Sequence, residues 1–155
     1  MIDAELRRWI DPPLNKAGNS LSLHGVTANQ ITLLGFSLGI IAMVCIALQY
    51  YLPGLALILL NRLCDGLDGA IARASNITDL GGYLDIVLDF IFYSAIVFGF
   101  VLAQPDHATA GAFLIFSFIG SGTSFLAYST FAAKRGLTTN LRGKKSLYYL
   151  GGLTE

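Results

Sequence analysis

Four aspartates, Asp65, Asp68, Asp85 and Asp89, fall within 25 residues of a chain that is 54% apolar. Asp65 and Asp68 are spaced i,i+3, about 60° apart on a helix, and Asp85 and Asp89 are spaced i,i+4, about 40° apart. Each pair therefore shares one face of its own helix. A carboxylate in an apolar segment is expensive unless it pairs, coordinates or faces water. Four of them crowded together repel, and the nearby Arg62 and Arg73 cannot cancel four charges. Hard divalent cations can, and all-carboxylate oxygen ligation suits Mg²⁺, Mn²⁺ or Ca²⁺. A zinc pattern is missing: His24 and His107 lie far apart, and Cys45 and Cys64 sit in apolar stretches as small fillers.

Small residues run beside these acids. Gly69 and Ala72 continue the Asp65/Asp68 face up to Arg73, and Gly81 precedes Asp85 by one turn. Where larger side chains would fill space, these leave a cavity beside the carboxylates. Gly35 and Gly39, a four-spaced pair with no nearby acid, read instead as a close helix–helix contact.

The elements that position these groups are apolar helices. Charged residues make up only 13% of the chain, against about 25% in soluble domains, and the net charge is zero. That composition excludes a disordered chain, a disulfide scaffold and a nucleic-acid binder with a basic groove. Four long apolar segments cover Ile31 to Tyr51, Leu52 to Arg73, Gly82 to Leu102 and Ala108 to Ala133. The first has 21 residues and no charge, reaching about 31 Å, enough to cross hydrocarbon. Arg7, Arg8, Lys16 and Arg73, with Lys134, Arg135, Arg142, Lys144 and Lys145, all fall on one side of the alternating segments. The positive-inside rule makes that side cytoplasmic.

The expected fold is an all-α polytopic membrane helix bundle in one unit over 1–155. Residues 1–30 form an interfacial segment, 31–133 four spanning helices, and 134–155 a cytoplasmic link and the stub of a fifth span, read as cut short. In the first part, Ile2, Leu6, Trp9 and Ile10 share one face of an amphipathic helix that Pro12 and Pro13 end or restart. Thr27 is placed to cap the first span. No signal-peptide pattern precedes the spans.

Residues 65–89 read DGLDGAIARASNITDLGGYLDIVLD. This resembles the signature of the CDP-alcohol phosphatidyltransferases, D-x2-D-G-x2-A-R, a short gap, then G-x3-D-x3-D. All eight fixed positions match: Asp65, Asp68, Gly69, Ala72, Arg73, Gly81, Asp85 and Asp89. Thr27 to Thr32 is similar to the stretch entering the family's first span, except that Ala28 stands where proline is common.

The resemblance implies a six-span, usually homodimeric membrane enzyme that transfers a phosphatidyl group from CDP-diacylglycerol, or a related CDP-alcohol, to an alcohol and releases CMP. It implies two divalent ions, Mg²⁺ or Mn²⁺, held by Asp65, Asp68, Asp85 and Asp89, with Asp89 as the base for the acceptor hydroxyl. Gly69, Ala72, Arg73 and Gly81 match positions at the CDP moiety, with Arg73 near the diphosphate. Thr78, Asn29 and Thr32 are further carry-overs to that pocket. Lys134 and Arg135 are candidates for an acceptor phosphate, although ordinary cytoplasmic-side charges holding anionic lipid explain them as simply. Six spans are implied where this chain shows four and a stub. The expected partners are these substrates and membrane lipid, with no nucleic acid. The rival reading is an ion- or proton-coupled transporter using the intramembrane aspartates.

Overall fold

The computed structural model describes residues 2–135, with side-chain surroundings from Trp9 onward. The described residues are helical, with short connections: α1 Ile2–Leu23, α2 Ala28–Ala47, α3 Tyr51–Ala74, α4 Asp79–Ala103, a 3₁₀ turn Pro105–His107, and α5 Ala108–Lys134. The expected stub of a fifth span lies outside the described residues, as do Arg142, Lys144 and Lys145.

Glycine contacts set how the helices lie. A Cβ on Gly35 would sit 2.8 Å from Cys64 Cβ, and one on Gly54 would sit 2.9 Å from Ile46, so α2 and α3 run antiparallel. A Cβ on Gly39 would meet Phe92, and one on Gly99 would meet Met43, so α2 and α4 run parallel. Gly111 faces Val101 and Gly122 faces Phe90, which sets α5 antiparallel to α4. Gly35, Gly39, Ala42 and Ile46 form the buried stripe of α2. The reading of Gly35 and Gly39 as a close packing face agrees with this. Among the described residues α2 packs along both α3 and α4, whereas α3 and α4 bring almost no backbone within 8 Å of each other. The short link over 74–80 predicts that the two acid-bearing helices close into an antiparallel hairpin; they are antiparallel, but α2 wedges them apart and their side chains meet over it.

α1 departs from expectation. It runs unbroken through Pro12 and Pro13 instead of ending or restarting there. The prolines keep a helical φ and forfeit two backbone donors. Docking on α3 compensates: Leu14 lies against Gly66, and a Cβ on Gly18 would sit 2.7 Å from Ala70 Cβ. Trp9 remains 82% exposed.

Three stretches, Ala28–Ala47, Asp79–Ala103 and Pro105–Lys134, are long and apolar enough to cross a membrane. Of the four expected spans, α3 falls outside that set. Its 24 residues have the length, but Asn61, Arg62, Asp65, Asp68 and Arg73 dilute its hydropathy. Elsewhere the bundle turns large apolar side chains outward, among them Leu59, Phe98, Phe113, Phe116 and Phe131. That surface suits lipid, not water.

Candidate active site

The site lies at the end of the bundle where α2 begins, α3 ends and α4 begins. Each start is fixed locally. Thr27 Oγ1 accepts from Gln30 N, and Thr27 N donates back to Gln30 Oε1, a capping box that opens α2. Thr78 caps α4, its Oγ1 accepting from Gly81 N at 3.0 Å. With both starts fixed, Asn29 faces Gly81 closely enough that a Cβ there would lie 3.2 Å from Asn29 Oδ1. Asn29, Thr78 and Gly81 therefore form one group at the mouth, with Gly81 keeping it open.

Deeper in, carboxylate oxygens of Asp65, Asp68 and Asp85 all lie within 4.8 Å of one another. Asp68 is the innermost, only 5% exposed, and its Oδ2 accepts from Thr32 Oγ1 at 2.6 Å. Thr32 Oγ1 is also 3.0 Å from Ala28 O. Its single proton serves the carboxylate, the shorter and charge-assisted contact.

Asp89 lines the same cleft but stands outside the three-acid cluster. Its Oδ1 accepts from Arg62 Nη2 at 2.6 Å, and its Oδ2 accepts from Tyr93 Oη at 3.0 Å. Arg62 also lies 3.8 Å from Asp65 Oδ2. Its Nε donates to Asn61 Oδ1 at 2.8 Å, while Asn61 Nδ2 donates to Gly35 O at 2.8 Å. Asn61 is 4% exposed, and the bare backbone at Gly35 lets it reach across. The cleft's inner space of about 20 Å³ suits an ion or a water, not a nucleotide.

The remaining candidates lie apart. Gly69 faces the Arg73 guanidinium, which donates to Asn15 Oδ1 of α1 at 3.0 Å. Ala72 stands one residue before it on the last turn of α3. Lys134 and Arg135 end α5, which packs on α4 and the 3₁₀ turn. Among the described residues no contact joins them to the acids.

Asn61, Tyr93 and Asn15 were not singled out from sequence. For two of them a signal existed: Asn61 precedes Asp65 by four residues and Tyr93 follows Asp89 by four, each one helical turn away. Asn15 carries no such signal, because its partner is 58 residues distant.

The CDP-alcohol phosphatidyltransferase profile matches residues 25–148. The chain belongs to the CDP-alcohol phosphatidyltransferase family. It is 50% identical over its whole length to Inner membrane protein YnjF of Escherichia coli, covering 76% of that protein. It is 32% identical to the archaetidylinositol phosphate synthase of Pyrococcus horikoshii, over 64% of this chain and 53% of that one. A bifunctional IPC transferase and DIPP synthase of Archaeoglobus fulgidus is 30% identical over 97% of this chain, which covers 30% of it. The chain thus spans about three quarters, half and under a third of these relatives' lengths. No solved structure matches it at a significant level. Membership in a family of membrane transferases agrees with the site's chemistry. The three oxygens on α3 and α4 are a hard, anionic donor set of the kind divalent cations take.

Proposed function

We propose that this phosphatidyltransferase-family chain transfers the phosphatidyl group of CDP-diacylglycerol, or a related CDP-alcohol, to an alcohol acceptor and releases CMP. The observation that carries the reading is the convergence of Asp65, Asp68 and Asp85 from two helices that α2 holds apart. This leaves room between backbones for a charged ligand. Asp65, Asp68 and Asp85 would hold the divalent ions, Mg²⁺ or Mn²⁺, two in number on the family pattern, with Asp89 at the edge. When bound, such ions neutralise a diphosphate and its leaving group.

The chain's own residues do the rest. Thr32 orients Asp68. Gly81, Asn29 and Thr78 leave the mouth open for the nucleotide, and on the family pattern Gly69, Ala72 and Arg73 meet its diphosphate side from the end of α3, where Asn15 of α1 holds the Arg73 guanidinium. Asp89 takes the proton of the acceptor hydroxyl. Its carboxylate has lone pairs beyond those used by Arg62 and Tyr93. The acceptor oxygen then bonds to the lipid-side phosphorus as the bond from that phosphorus to CMP breaks. The proton leaves on Asp89 and returns to water.

The reading places α3 across the membrane as a fourth span, with Arg62, Asp65 and Asp68 turned into this cleft. It places the site on the cytoplasmic side, where Lys16, Arg73, Lys134 and Arg135 gather, and α1 along the interface. The enzyme works as a homodimer on the family pattern. Lys134 and Arg135 read first as cytoplasmic-side charges that hold anionic lipid, with an acceptor phosphate as their second candidate ligand. The transport reading has no support beyond the acids themselves.

The test is the full chain in vesicles with labelled CDP-diacylglycerol and a panel of inositol phosphate, inositol, glycerol 3-phosphate, serine and choline. The name of one relative, an archaetidylinositol phosphate synthase, puts inositol phosphate first. Expected is acceptor-dependent CMP release that a chelator stops. Absence of CMP release with every acceptor in the presence of Mg²⁺ and Mn²⁺ would overturn the reading.

A further inference from the structure

Asn15 precedes the stretch 25–148 that the family profile matches, yet it is the residue that meets the motif arginine. Its Oδ1 accepts from Arg73 Nη2 at 3.0 Å. Helical side chains lean back toward the helix N-terminus, and Arg73 does so: a Cβ on Gly69, one turn earlier, would lie 3.3 Å from Arg73 Nη1. The guanidinium thus lies over the bare backbone of Gly69, on the stretch of α3 where α1 docks. Leu14 packs on Gly66, and a Cβ on Gly18 would sit 2.7 Å from Ala70 Cβ. Asn15 falls between these two contacts in sequence, half-buried, so helix packing on either side fixes its height along α3.

We propose that Asn15 is a positioning residue for Arg73: it holds the guanidinium over Gly69, so that the diphosphate end of a CDP-lipid meets an arginine already in place. The proposal rests on the transferase reading for the identity of the ligand, a nucleoside diphosphate. Arg73 is exposed, and an exposed arginine without such a partner gives up much rotamer freedom when it grips a ligand. Asn15 takes part of that loss during folding instead. A guanidinium carries five N–H donors, so one bond to Asn15 leaves enough for a two-point grip on phosphate oxygens. The acceptor at position 15 is a neutral amide. A carboxylate there would hold the arginine as firmly but cancel the charge that a diphosphate needs.

The test titrates CDP into the full chain in detergent with excess Mn²⁺, followed by calorimetry. Asn15→Ala is expected to weaken CDP binding about five- to tenfold. In an Arg73→Ala background the same change is expected to shift CDP affinity by less than about twofold, because Asn15 acts through the arginine. Asn15→Leu, close in shape to the native residue, carries the same cycle if the alanine variant does not fold. Unchanged CDP affinity in Asn15→Ala overturns the proposal. An equal loss with and without Arg73 also overturns it, since Asn15 would then only prop α1. A chain that binds CDP with positions 15 and 73 coupled, yet releases no CMP with any acceptor, sinks the transferase reading and leaves the proposal standing. A chain that turns over with the two positions uncoupled sinks the proposal alone. Where CMP release is measured, Asn15→Ala is expected to raise KM for CDP-diacylglycerol about five- to tenfold with kcat within about threefold. A fallen kcat at unchanged KM would overturn the assignment to substrate grip.

Discussion

Thr32 on α2 donates a 2.6 Å hydrogen bond to Asp68 on α3, joining residues 36 apart in sequence at the deepest point of the cleft. This bond ties the helix between the two acid-bearing helices to the most buried carboxylate. Thr32→Val keeps the shape and removes the donor. The expected outcome is a loss of about 1–3 kcal/mol in unfolding free energy, read by denaturation in detergent, with weaker Mn²⁺ binding as Asp68 loses its fixed orientation.

The three-acid cluster makes a sharper demand. Asp65→Asn, Asp68→Asn and Asp85→Asn each remove one anionic oxygen donor from a set that already lies within 4.8 Å. Each is expected to abolish measurable CMP release and weaken Mn²⁺ binding about tenfold or more. Chelation of the wild-type chain should stop turnover, and added Mg²⁺ or Mn²⁺ should restore it. Turnover that survives thorough chelation would remove the ions from the reaction.

Gly18 tests how α1 is held. A Cβ there would lie 2.7 Å from Ala70 Cβ and 2.9 Å from the Ala70 backbone, so backbone must shift. Gly18→Ala is expected to cost about 1–3 kcal/mol and to loosen α1 from α3. With α1 displaced, Asn15 no longer holds Arg73. Proteolysis within α1 should speed up, and KM for the CDP-lipid should rise more than kcat falls.

Topology is open to labelling. With Cys45 and Cys64 replaced by Ala, single cysteines at Gln49 and Ile77 flank α3 at its two ends. In intact cells an impermeant maleimide is expected to label Gln49→Cys, and to label Ile77→Cys only after permeabilisation. Labelling of both from the same side would mean that α3 does not cross.

The helices and the motif were legible in the sequence because both are local. A 3.6-residue period puts Asp65 with Asp68 and Asp85 with Asp89 whatever the helices pack against. Apolar runs bounded by Thr27, Thr78 and short polar links mark where helices start and stop. The small-residue pair Gly35 and Gly39 announced a close contact without naming Phe92 or Cys64 as its partner.

Tertiary structure alone decided which helices meet and which acids share a ligand. Helical spacing alone made the four aspartates two like pairs, and only the resemblance set Asp89 apart; in the fold, Asp65, Asp68 and Asp85 converge while Asp89 turns to Arg62. The difference arises because α2 separates α3 from α4, and that spacing is set by glycine contacts between residues far apart in the chain. The same holds for α1: two prolines argue for a break, and docking through Leu14 and Gly18 outweighs them. Local spacing dictates the face a residue occupies, but the distance between faces is a property of packing, and packing depends on every neighbour at once.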